Sequence, residues 1–150
     1  MKEEKCLVLI KPDAMLKGLA GNVISEIHSL NLKMVGIKIV NVQRELAEMH
    51  YSHLKEKPFY NKLIDHMTGG LHKNENVLAI AYKGENAIKK LRDLAGDTHP
   101  EEANPHTLRG KYGRVQTQND CFENVVHVSD SEETAEKEIN LWFNNSELLE

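Results

Sequence analysis

His127 and Glu138 are the two side chains of this sequence whose types and spacing point most directly to chemistry. Glu138 lies between Ala135 and Trp142 at helical spacing, so its carboxylate falls on the apolar face of a predicted helix. A buried carboxylate needs a partner, because an unpaired buried charge is costly. His127 lies in a predicted strand just before this helix, and a strand that leads directly into the helix can bring the two side chains together.

Such a pair has a catalytic and a structural interpretation. A histidine that a carboxylate holds through one ring nitrogen presents the other nitrogen as a base, a metal ligand or a nucleophile. The same pair can also be purely structural, and these two residues alone do not decide between the two interpretations.

A second group of candidate residues lies in a long irregular stretch, predicted over residues 97–120. Loops of more than about 12–15 residues without regular structure are uncommon in compact domains and are often functional. Guanidinium groups and hydroxyls can hold a polyphosphate, arginine through paired hydrogen bonds. The candidates are Thr98, His99, Thr107, Arg109, Lys111 and Arg114, together with Lys89, Lys90 and Arg92 on the preceding helix. The alternative is an ordinary polar loop in solvent.

The sequence Ser129-Asp130-Ser131 lies at the start of the last predicted helix. Ser129 with Glu132 matches a capping box, so Ser129 is predicted to cap the helix. The same hydroxyl and the exposed amides lie next to His127 and could also serve a phosphoryl group at a helix N-terminus. The two roles are compatible.

An α/β framework must position these residues. Apolar runs predict strands over residues 5–10, 32–42, 77–82 and 125–128. Apolar residues at helical spacing predict helices over residues 22–30, 44–54, 58–67, 85–95 and 131–143. Alternation in the last strand puts Val125 and His127 on one face of the sheet and Val126 and Val128 on the other.

Three residues are expected to shape individual elements. They are Gly36 as a bulge in the second strand, Pro58 in the first turn of its helix and Gly96 at the end of helix 85–95. The order β-α-β-β-α-β predicts an α+β fold, a ferredoxin-like sandwich in which helices pack on one face of an antiparallel sheet. We expect a single domain over residues 1–150. Because this fold hosts many functions, function must be argued from the site.

The composition narrows the function classes. With 40% hydrophobic and 28% charged residues, the 150-residue chain is typical of a globular domain, and we expect neither a membrane segment nor a signal peptide. The net charge of −4 argues against non-specific nucleic-acid binding through bulk charge but leaves room for a local basic pocket, and no specific nucleic-acid partner is expected. The two cysteines, Cys6 and Cys121, form no disulfide or metal-binding pattern, so we expect a cytoplasmic protein.

The string Asn124-Val-Val-His127-Val-Ser129-Asp130-Ser131 resembles the active-site signature of nucleoside diphosphate kinases, Asn-x-x-His-Gly-Ser-Asp-Ser. Further segments resemble that family in the same order along nearly the whole chain. They are Lys11-Pro-Asp13, His50-Tyr51 with Lys55-Glu-Lys-Pro58-Phe59, Met67-Thr-Gly-Gly70, Arg92 with Gly96-Asp-Thr98-His-Pro100, Pro105-His-Thr107-Leu-Arg109-Gly110, and Ala135-Glu-Lys-Glu138-Ile139 with Trp142-Phe143.

The resemblance implies a phosphotransferase. A γ-phosphate, typically that of ATP, would pass to a nucleoside diphosphate in a ping-pong reaction through a phosphohistidine at His127. Nδ1 of His127 would be the nucleophile, with Glu138 orienting the ring through the other nitrogen and Ser129 supporting Glu138.

The resemblance also implies a nucleotide site. Lys11 would bind the transferring phosphoryl group and the ribose 3′-hydroxyl, and Asn124 would bind the ribose hydroxyl. Tyr51 would contact the γ-phosphate, and Phe59 would stack on any base, because every base has a π-face. The phosphates would be clamped by Arg92, Thr98 and Arg109.

Partners and cofactor follow from the same resemblance. Mg²⁺ would enter with the nucleotide and be held mainly by its phosphates, without direct protein ligands. The substrates would be nucleoside di- and triphosphates. A homo-oligomer is expected, and a hexamer is favoured over a tetramer.

The sequence departs from the family pattern at several places. Val128 stands where the family has glycine, His106 replaces the glycine before Thr107, and Lys111 replaces an acidic residue. Segments 72–76 and 114–122 are longer than expected. These departures bear on catalytic rate and base contacts more than on the fold.

Two other functions remain open on the sequence. One is a catalytically weak or silent family member that acts as a nucleotide-binding scaffold. The other is a ferredoxin-like module that binds RNA or a metal, for which His50-x-x-His53 supplies two ligands without a third.

Overall fold

The structure, a computed structural model, describes residues 2–118 and 120–150. Its strands are β1 (Glu3–Ile10), β2 (Lys33–Asn41), β3 (Asn76–Glu85), β4 (Arg114–Val115), β5 (Phe122–Glu123) and β6 (Val126–Val128). Its α-helices are α1 (Pro12–Leu16), α2 (Ala20–His28), α3 (Arg44–His50), α4 (Tyr60–Met67), α5 (Ala87–Ala95), α6 (Leu108–Tyr112) and α7 (Glu132–Trp142). Short 3₁₀ turns cover Ser52–Leu54 and Asn145–Glu147.

The main sheet has the strand order β2-β3-β1-β6, and each pair of neighbours is antiparallel. This order confirms the predicted α+β, ferredoxin-like architecture. The central strand β1 pairs with β6 so that Leu9 lies opposite His127 and Val8 opposite Val128. β6 therefore places His127 at one edge of the main sheet, directly beside the central strand β1.

Helices cover both faces of this sheet, not one face as the sequence predicted. Val8 and Ile10 of β1 pack in one core cluster with residues of α2 and α5, whereas Leu7 and Leu9 pack in another with residues of α3, α4 and α7. A strand that is apolar on every side chain is typical of burial on both faces. The continuous apolar run of β1 carried this signal, which the expectation of a one-sided sandwich did not use.

The predicted elements agree with the structure within a few residues, with local exceptions. The bulge at Gly36 is confirmed by a register shift between Met34 and Gly36, and Gly96 ends α5 with a φ of 87°. Helix α4 begins at Tyr60, so Pro58 lies outside it and the prediction for Pro58 was wrong. Helix α1 was not predicted, because Pro12 was interpreted only as the end of a strand and not as a first helical residue.

The stretch 97–120 contains regular structure that the sequence interpretation missed. Thr107 caps α6, its hydroxyl accepting the backbone N–H of Gly110 at 3.1 Å. Arg114 pairs with Glu123 across the β4–β5 hairpin. A helix of one turn and a two-residue strand are too short to produce a periodic pattern.

Val125 breaks the alternation that was predicted for the last strand. Its φ of 74° is left-handed, and its side chain lies in the same core cluster as those of Val126 and Val128. A β-branched residue rarely adopts this conformation. The prediction that Val125 shares a face with His127 was therefore wrong, and the prediction for Val126 and Val128 is confirmed.

Among the described residues, no helix is long and apolar enough to cross a membrane.

Candidate active site

His127 and Glu138 meet as the sequence predicted. Nε2 of His127 lies 2.7 Å from Oε2 of Glu138, which α7 carries on its buried face. The contact is short but not a straight hydrogen bond, because the oxygen lies off the direction of an Nε2–H bond. Catalytic hydrogen bonds are often poorly aligned before substrate binds. Since Nε2 faces the carboxylate, Nδ1 is on the opposite side of the ring.

Ser129 holds the other oxygen of Glu138 and does not cap the helix. Its hydroxyl donates to Oε1 of Glu138 at 2.7 Å and accepts the backbone N–H of Leu7 at 3.0 Å. The helix cap is Ser131, whose hydroxyl accepts the N–H of Thr134 at 3.1 Å. The predicted capping box at Ser129 was wrong because Ser129 is still paired with β1 and its side chain points into the core.

His50 is a member of the cluster that sequence reasoning missed. Its ring packs against that of His127, with centroids 4.4 Å apart, and its Nε2 lies 3.5 Å from Oε2 of Glu138. The indole N–H of Trp142 donates to Nδ1 of His50 at 3.0 Å. A buried indole needs an acceptor, and this need was the available signal that an acceptor faces Trp142.

The bond from Trp142 fixes the tautomer of His50. An indole nitrogen only donates, so Nδ1 of His50 must be unprotonated and Nε2 must carry the proton of the neutral ring. Burial, followed by the charge of His127, lowers the pKa of His50 well below its usual 6.5, which keeps the ring neutral. The protonated Nε2 therefore faces Glu138.

His50, His127 and Glu138 also resemble a metal site, because one potential ligand atom from each lies within 4.8 Å of the others. Two histidines and a glutamate form a known zinc ligand set. A metal on Nε2 of His50 would move the ring proton to Nδ1, where it would face the N–H of Trp142. The N–H groups of His50 and Trp142 would then point at each other. The arrangement therefore favours a hydrogen-bonded cluster over a metal site. The partner proposed from sequence, His53, is exposed and lies outside this group.

Lys11 and Asn124 form a second buried pair, next to the cluster. Nζ of Lys11 donates to Oδ1 of Asn124 at 2.8 Å, and Nδ2 of Asn124 donates to the carbonyl of Thr98 at 3.1 Å. Burial, and then the charge of Arg109, lowers the pKa of Lys11 to about 8. Among the described residues Nζ of Lys11 forms no ion pair, and the buried carboxylate of Asp13 nearby is paired with His66 instead. An anion bound beside Nζ would therefore be stabilised by this charge.

Arg109 is also buried, and it contacts the backbone of Asn124. Its guanidinium donates to the carbonyls of Gly96 at 2.7 Å, Val126 at 2.9 Å and Asn124 at 3.2 Å. Three of the five guanidinium hydrogens are thus used on backbone, and two remain for a ligand. Arg109 therefore ties the strand that carries His127 to the loop after α5, and also supplies positive charge.

These charges control the protonation of His127. Burial of the ring, followed by the charges of Lys11 and Arg109, lowers the pKa of His127 to about 3. The side chain keeps 18% of its surface exposed although Nε2 is sealed from solvent. At neutral pH the ring is uncharged, and its nitrogen away from Glu138 carries a lone pair.

Tyr51 points a polar group into this region. Its ring centroid lies 6.3 Å from that of His127, and its hydroxyl is buried without a hydrogen-bond partner in the described part of the chain. Buried hydroxyls are nearly always hydrogen-bonded, so an orphaned one needs an explanation. A ligand oxygen next to His127 would satisfy it.

The remaining predicted site residues lie at the surface. Arg92 of α5 is exposed, and its Nη1 is 3.5 Å from the carbonyl of Val128. Its charge contributes to lowering the pKa of His127 and of Arg109. Thr98 is exposed, and Phe59 is 49% exposed just before α4. No contact of the described residues joins Phe59 to the His127 cluster.

Several cations of stretch 89–114 do not gather at the site. Lys111 pairs with Glu26, Lys89 with Asp93 and Arg114 with Glu123. The hydroxyl of Thr107 is used in capping α6 and donates to the carbonyl of Asn104 at 2.6 Å. The polar loop is therefore partly structural.

Comparison with known proteins agrees with this site. The sequence model of the nucleoside diphosphate kinase family matches residues 4–148. The chain is 44% identical to the nucleoside diphosphate kinase of Pyrococcus horikoshii over 147 residues, which cover 98% of this chain and 89% of that protein. It is 43% identical to that of Staphylococcus epidermidis over 147 residues, covering 98% and 92%.

Solved structures give the same answer for the fold. A transition-state mimic of the Borrelia burgdorferi enzyme with vanadate and ADP superposes with a TM-score of 0.89, at 31% identity, covering 99% of this chain and 91% of that one. The Halobacterium salinarum enzyme in complex with CDP gives a TM-score of 0.88 at 35% identity, covering 99% and 93%. With the paired His127 and Glu138 near the buried cations Lys11 and Arg109, these matches over nearly the full length show that the chain belongs to the nucleoside diphosphate kinase family.

Proposed function

We propose that the protein transfers the γ-phosphate of a nucleoside triphosphate to a nucleoside diphosphate in two half-reactions, through a phosphohistidine on His127. The observation that carries this proposal is the 2.7 Å contact between Nε2 of His127 and Oε2 of Glu138. It leaves Nδ1 as the nucleophile in a ring that is neutral at physiological pH.

In the first half-reaction, the lone pair of Nδ1 attacks the γ-phosphorus. The bond from phosphorus to the oxygen that bridges the β- and γ-phosphates breaks, and the nucleoside diphosphate leaves with that electron pair. The ring keeps its Nε2 proton and becomes positively charged, and the Glu138 carboxylate stabilises this charge. In the second half-reaction, a terminal oxygen of an acceptor diphosphate attacks the phosphorus, and the N–P bond breaks.

Positive charge and donors around His127 support this assignment. Phosphoryl transfer needs mainly positioning and stabilisation of charge on the phosphate oxygens. We assign Lys11 and the Tyr51 hydroxyl to the transferring phosphoryl group, with Asn124 on the ribose hydroxyl. Arg92, Thr98 and the two free hydrogens of Arg109 bind the remaining phosphates.

Two further residues complete this assignment. Phe59, half exposed before α4, is assigned to the base. His50 is added as a second ring facing Glu138, with its Nε2–H 3.5 Å from Oε2 and its tautomer set by Trp142.

Mg²⁺ is proposed to arrive with the nucleotide. It prefers oxygen ligands in octahedral geometry. The potential metal-binding group found among residues 2–118 and 120–150 offers two histidine nitrogens and one carboxylate oxygen, which does not fit Mg²⁺. The phosphate oxygens are therefore assigned as its ligands, where it would neutralise phosphate charge.

Among the departures from the family pattern, Val128 bears most directly on the scaffold alternative, because it follows the nucleophile in the chain in place of glycine. Its side chain is buried in the core cluster on the face of the sheet opposite His127. It therefore does not cover the nucleophile, and no other observation favours a silent protein. A single domain, a homo-oligomer and a cytoplasmic location stay predictions.

Labelling with γ-labelled ATP tests the proposal. We expect a phosphoprotein that is labile in acid and stable in alkali, and that loses its label to an added nucleoside diphosphate. His127→Ala should bind ATP but take up no label, because the phosphate-binding groups lie on other residues. Label retained in this variant, or label in the native protein that no diphosphate removes, contradicts the mechanism.

A further inference from the structure

Glu123 joins two parts of the chain that are far apart in sequence. Its side chain is fully buried. Nε2 of His72 donates to Oε1 at 2.8 Å, and Nε of Arg114 donates to Oε2 at 2.7 Å. His72 lies in segment 72–76 and Arg114 begins segment 114–122, the two segments that are longer than the family pattern predicts. Both extra segments therefore meet at one carboxylate.

The hairpin β4–β5 places this carboxylate beside the nucleotide site. Arg114 lies directly opposite Glu123 in the hairpin, and the N–H of Gln116 closes it by donating to the carbonyl of Cys121 at 2.8 Å. Asn124 follows Glu123 directly in the chain. Any movement of the Glu123 backbone is therefore passed to Asn124.

The backbone after Glu123 is held in an unfavourable conformation. Val125 has a φ of 74°, which a β-branched residue rarely adopts without support from its surroundings. Its N–H donates to Oδ2 of the buried Asp13 at 3.1 Å, and its carbonyl accepts the N–H of Lys11 at 2.9 Å. These contacts fix the segment on its C-terminal side. On its N-terminal side the paired Glu123 is the corresponding anchor.

We propose that Glu123, held by His72 and Arg114, is a positioning residue for nucleotide binding. Glu123 keeps the side-chain amide of Asn124 in contact with Lys11 and with the carbonyl of Thr98. Through Glu123, the two longer segments thereby influence the affinity for the nucleoside part of the substrate. The proposal rests on the proposed function, in which Asn124 contacts the ribose.

The effect should fall on binding more than on the chemical step. Within the described part of the chain, the Glu123 carboxylate bonds to His72 and Arg114 and forms no hydrogen bond or ion pair with His127 or Glu138. In metal sites, losing a group that orients a ligand changes affinity by about 10–100-fold, and we expect an effect of similar size here. Lys11 keeps its charge in such a variant.

Glu123→Gln, which preserves the shape of the side chain, tests this proposal. The amide oxygen can accept from Arg114, but the amide NH2 group then faces Nε2 of His72, which can accept only if the ring moves its proton to Nδ1. Both contacts also lose the charge of the carboxylate. We expect KM for both nucleotides, and Kd for ADP measured by calorimetry, to rise by about tenfold or more, while kcat stays within about threefold. Glu101→Gln removes the same charge from an exposed position and should leave all three values unchanged. Unchanged KM and Kd in Glu123→Gln, or a fall in kcat as large as the rise in KM, overturns the proposal.

His72→Phe supplies a second test, because it keeps a ring but removes the donor. Alone it should raise KM, and in the Glu123→Gln background it should add less than about twofold, since the loss of the carboxylate has already weakened the contact between residue 123 and His72. Fully multiplicative effects contradict a common route through Glu123. Should Glu123→Gln not fold, the rise in KM and Kd for His72→Phe decides the question.

The Kd measurement separates this inference from the proposed function. Native protein that binds ADP but transfers no phosphate would contradict the phosphotransfer mechanism. The comparison of Kd between native and variant protein would still decide whether Glu123 positions the nucleotide site.

Discussion

The indole N–H of Trp142 donates to Nδ1 of His50 at 3.0 Å, and this single bond decides which nitrogen of His50 faces Glu138. Trp142 and Glu138 are four residues apart in α7. One helix therefore carries both the carboxylate and the indole that sets the tautomer of His50, the second ring facing that carboxylate. Glu138 is thereby faced by His50 and His127 at one oxygen and by Ser129 at the other. The orientation of the nucleophile depends on the whole cluster.

Trp142→Phe removes this control of the tautomer. We expect kcat to fall by about three- to tenfold, because His50 can then place its proton on Nδ1 and Glu138 would no longer face an N–H of that ring. We also expect Zn²⁺ to inhibit the variant more strongly than the native protein, since Nε2 of His50 becomes free to bind a metal. Steady-state rates across a Zn²⁺ titration check both effects. Equal inhibition of the two proteins would contradict the tautomer argument.

Glu138→Gln tests the orienting charge at constant shape. We expect transfer to slow by about tenfold to a thousandfold, because the ring would lose the carboxylate that stabilises its positive charge after attack. KM should change little, since Glu138 contacts none of the residues that are proposed to bind the nucleotide. Thermal unfolding serves as the control for folding. A rate equal to that of the native protein would leave Glu138 with a structural role only.

The lowered pKa of Lys11 predicts that the transfer rate depends on pH in the alkaline range. Its pKa is lowered to about 8, so Nζ is charged below that pH and loses its proton as pH rises through it. We expect kcat/KM, which reports the free enzyme, to fall above pH 8 as the phosphate loses this partner. In Lys11→Arg the guanidinium stays charged, so the alkaline fall should disappear even if the overall rate is lower. A profile that is flat from pH 7 to about 9.5 in the native protein would rule out this role for Lys11.

The sequence predicts well what depends on local pattern. Strands β1 and β3 are long apolar runs, and the helical spacing of Glu138 on the apolar face of α7 located the partner of His127 correctly. The sequence pattern does not predict features that depend on contacts between distant segments. Three features arise only when distant segments meet in the folded chain. They are the tautomer of His50, the left-handed conformation of Val125 and the link between His72 and Arg114 through Glu123. The capping role was assigned to the wrong serine because Ser129 and Ser131 fit similar local patterns, and only pairing with β1 separates them.

The two serines provide a direct test of that correction. Ser131→Ala removes the cap of α7 and should lower the free energy of unfolding by about 1 kcal/mol with little effect on kcat. Ser129→Ala removes a donor to Glu138 and should lower kcat by about tenfold or more. Denaturant unfolding and steady-state assays on both variants check the two effects. The reverse pattern would restore Ser129 as the cap.

Val128→Gly tests the residue that departs most clearly from the family pattern. The valine side chain is buried against α5, and its carbonyl lies 3.5 Å from Nη1 of Arg92. Replacing it with glycine removes buried methyl groups and adds backbone freedom, which should cost about 2–3 kcal/mol of stability. Because the side chain points away from His127, kcat should change by less than about tenfold, which corresponds to a displacement of the nucleophile well below 1 Å.

Val126→Gly is the matched control for that experiment, since Val126 lies in the same strand, faces the same core and is also buried. Transfer from ATP to a diphosphate acceptor is measured for the native protein and both variants at a temperature where all are folded. Similar modest changes in the two variants are expected, because both leave a cavity on the face of the sheet opposite the nucleophile. An inert native protein that becomes active only in Val128→Gly would show that the valine inactivates the site. The protein would then be a nucleotide-binding scaffold with an intact but silenced histidine.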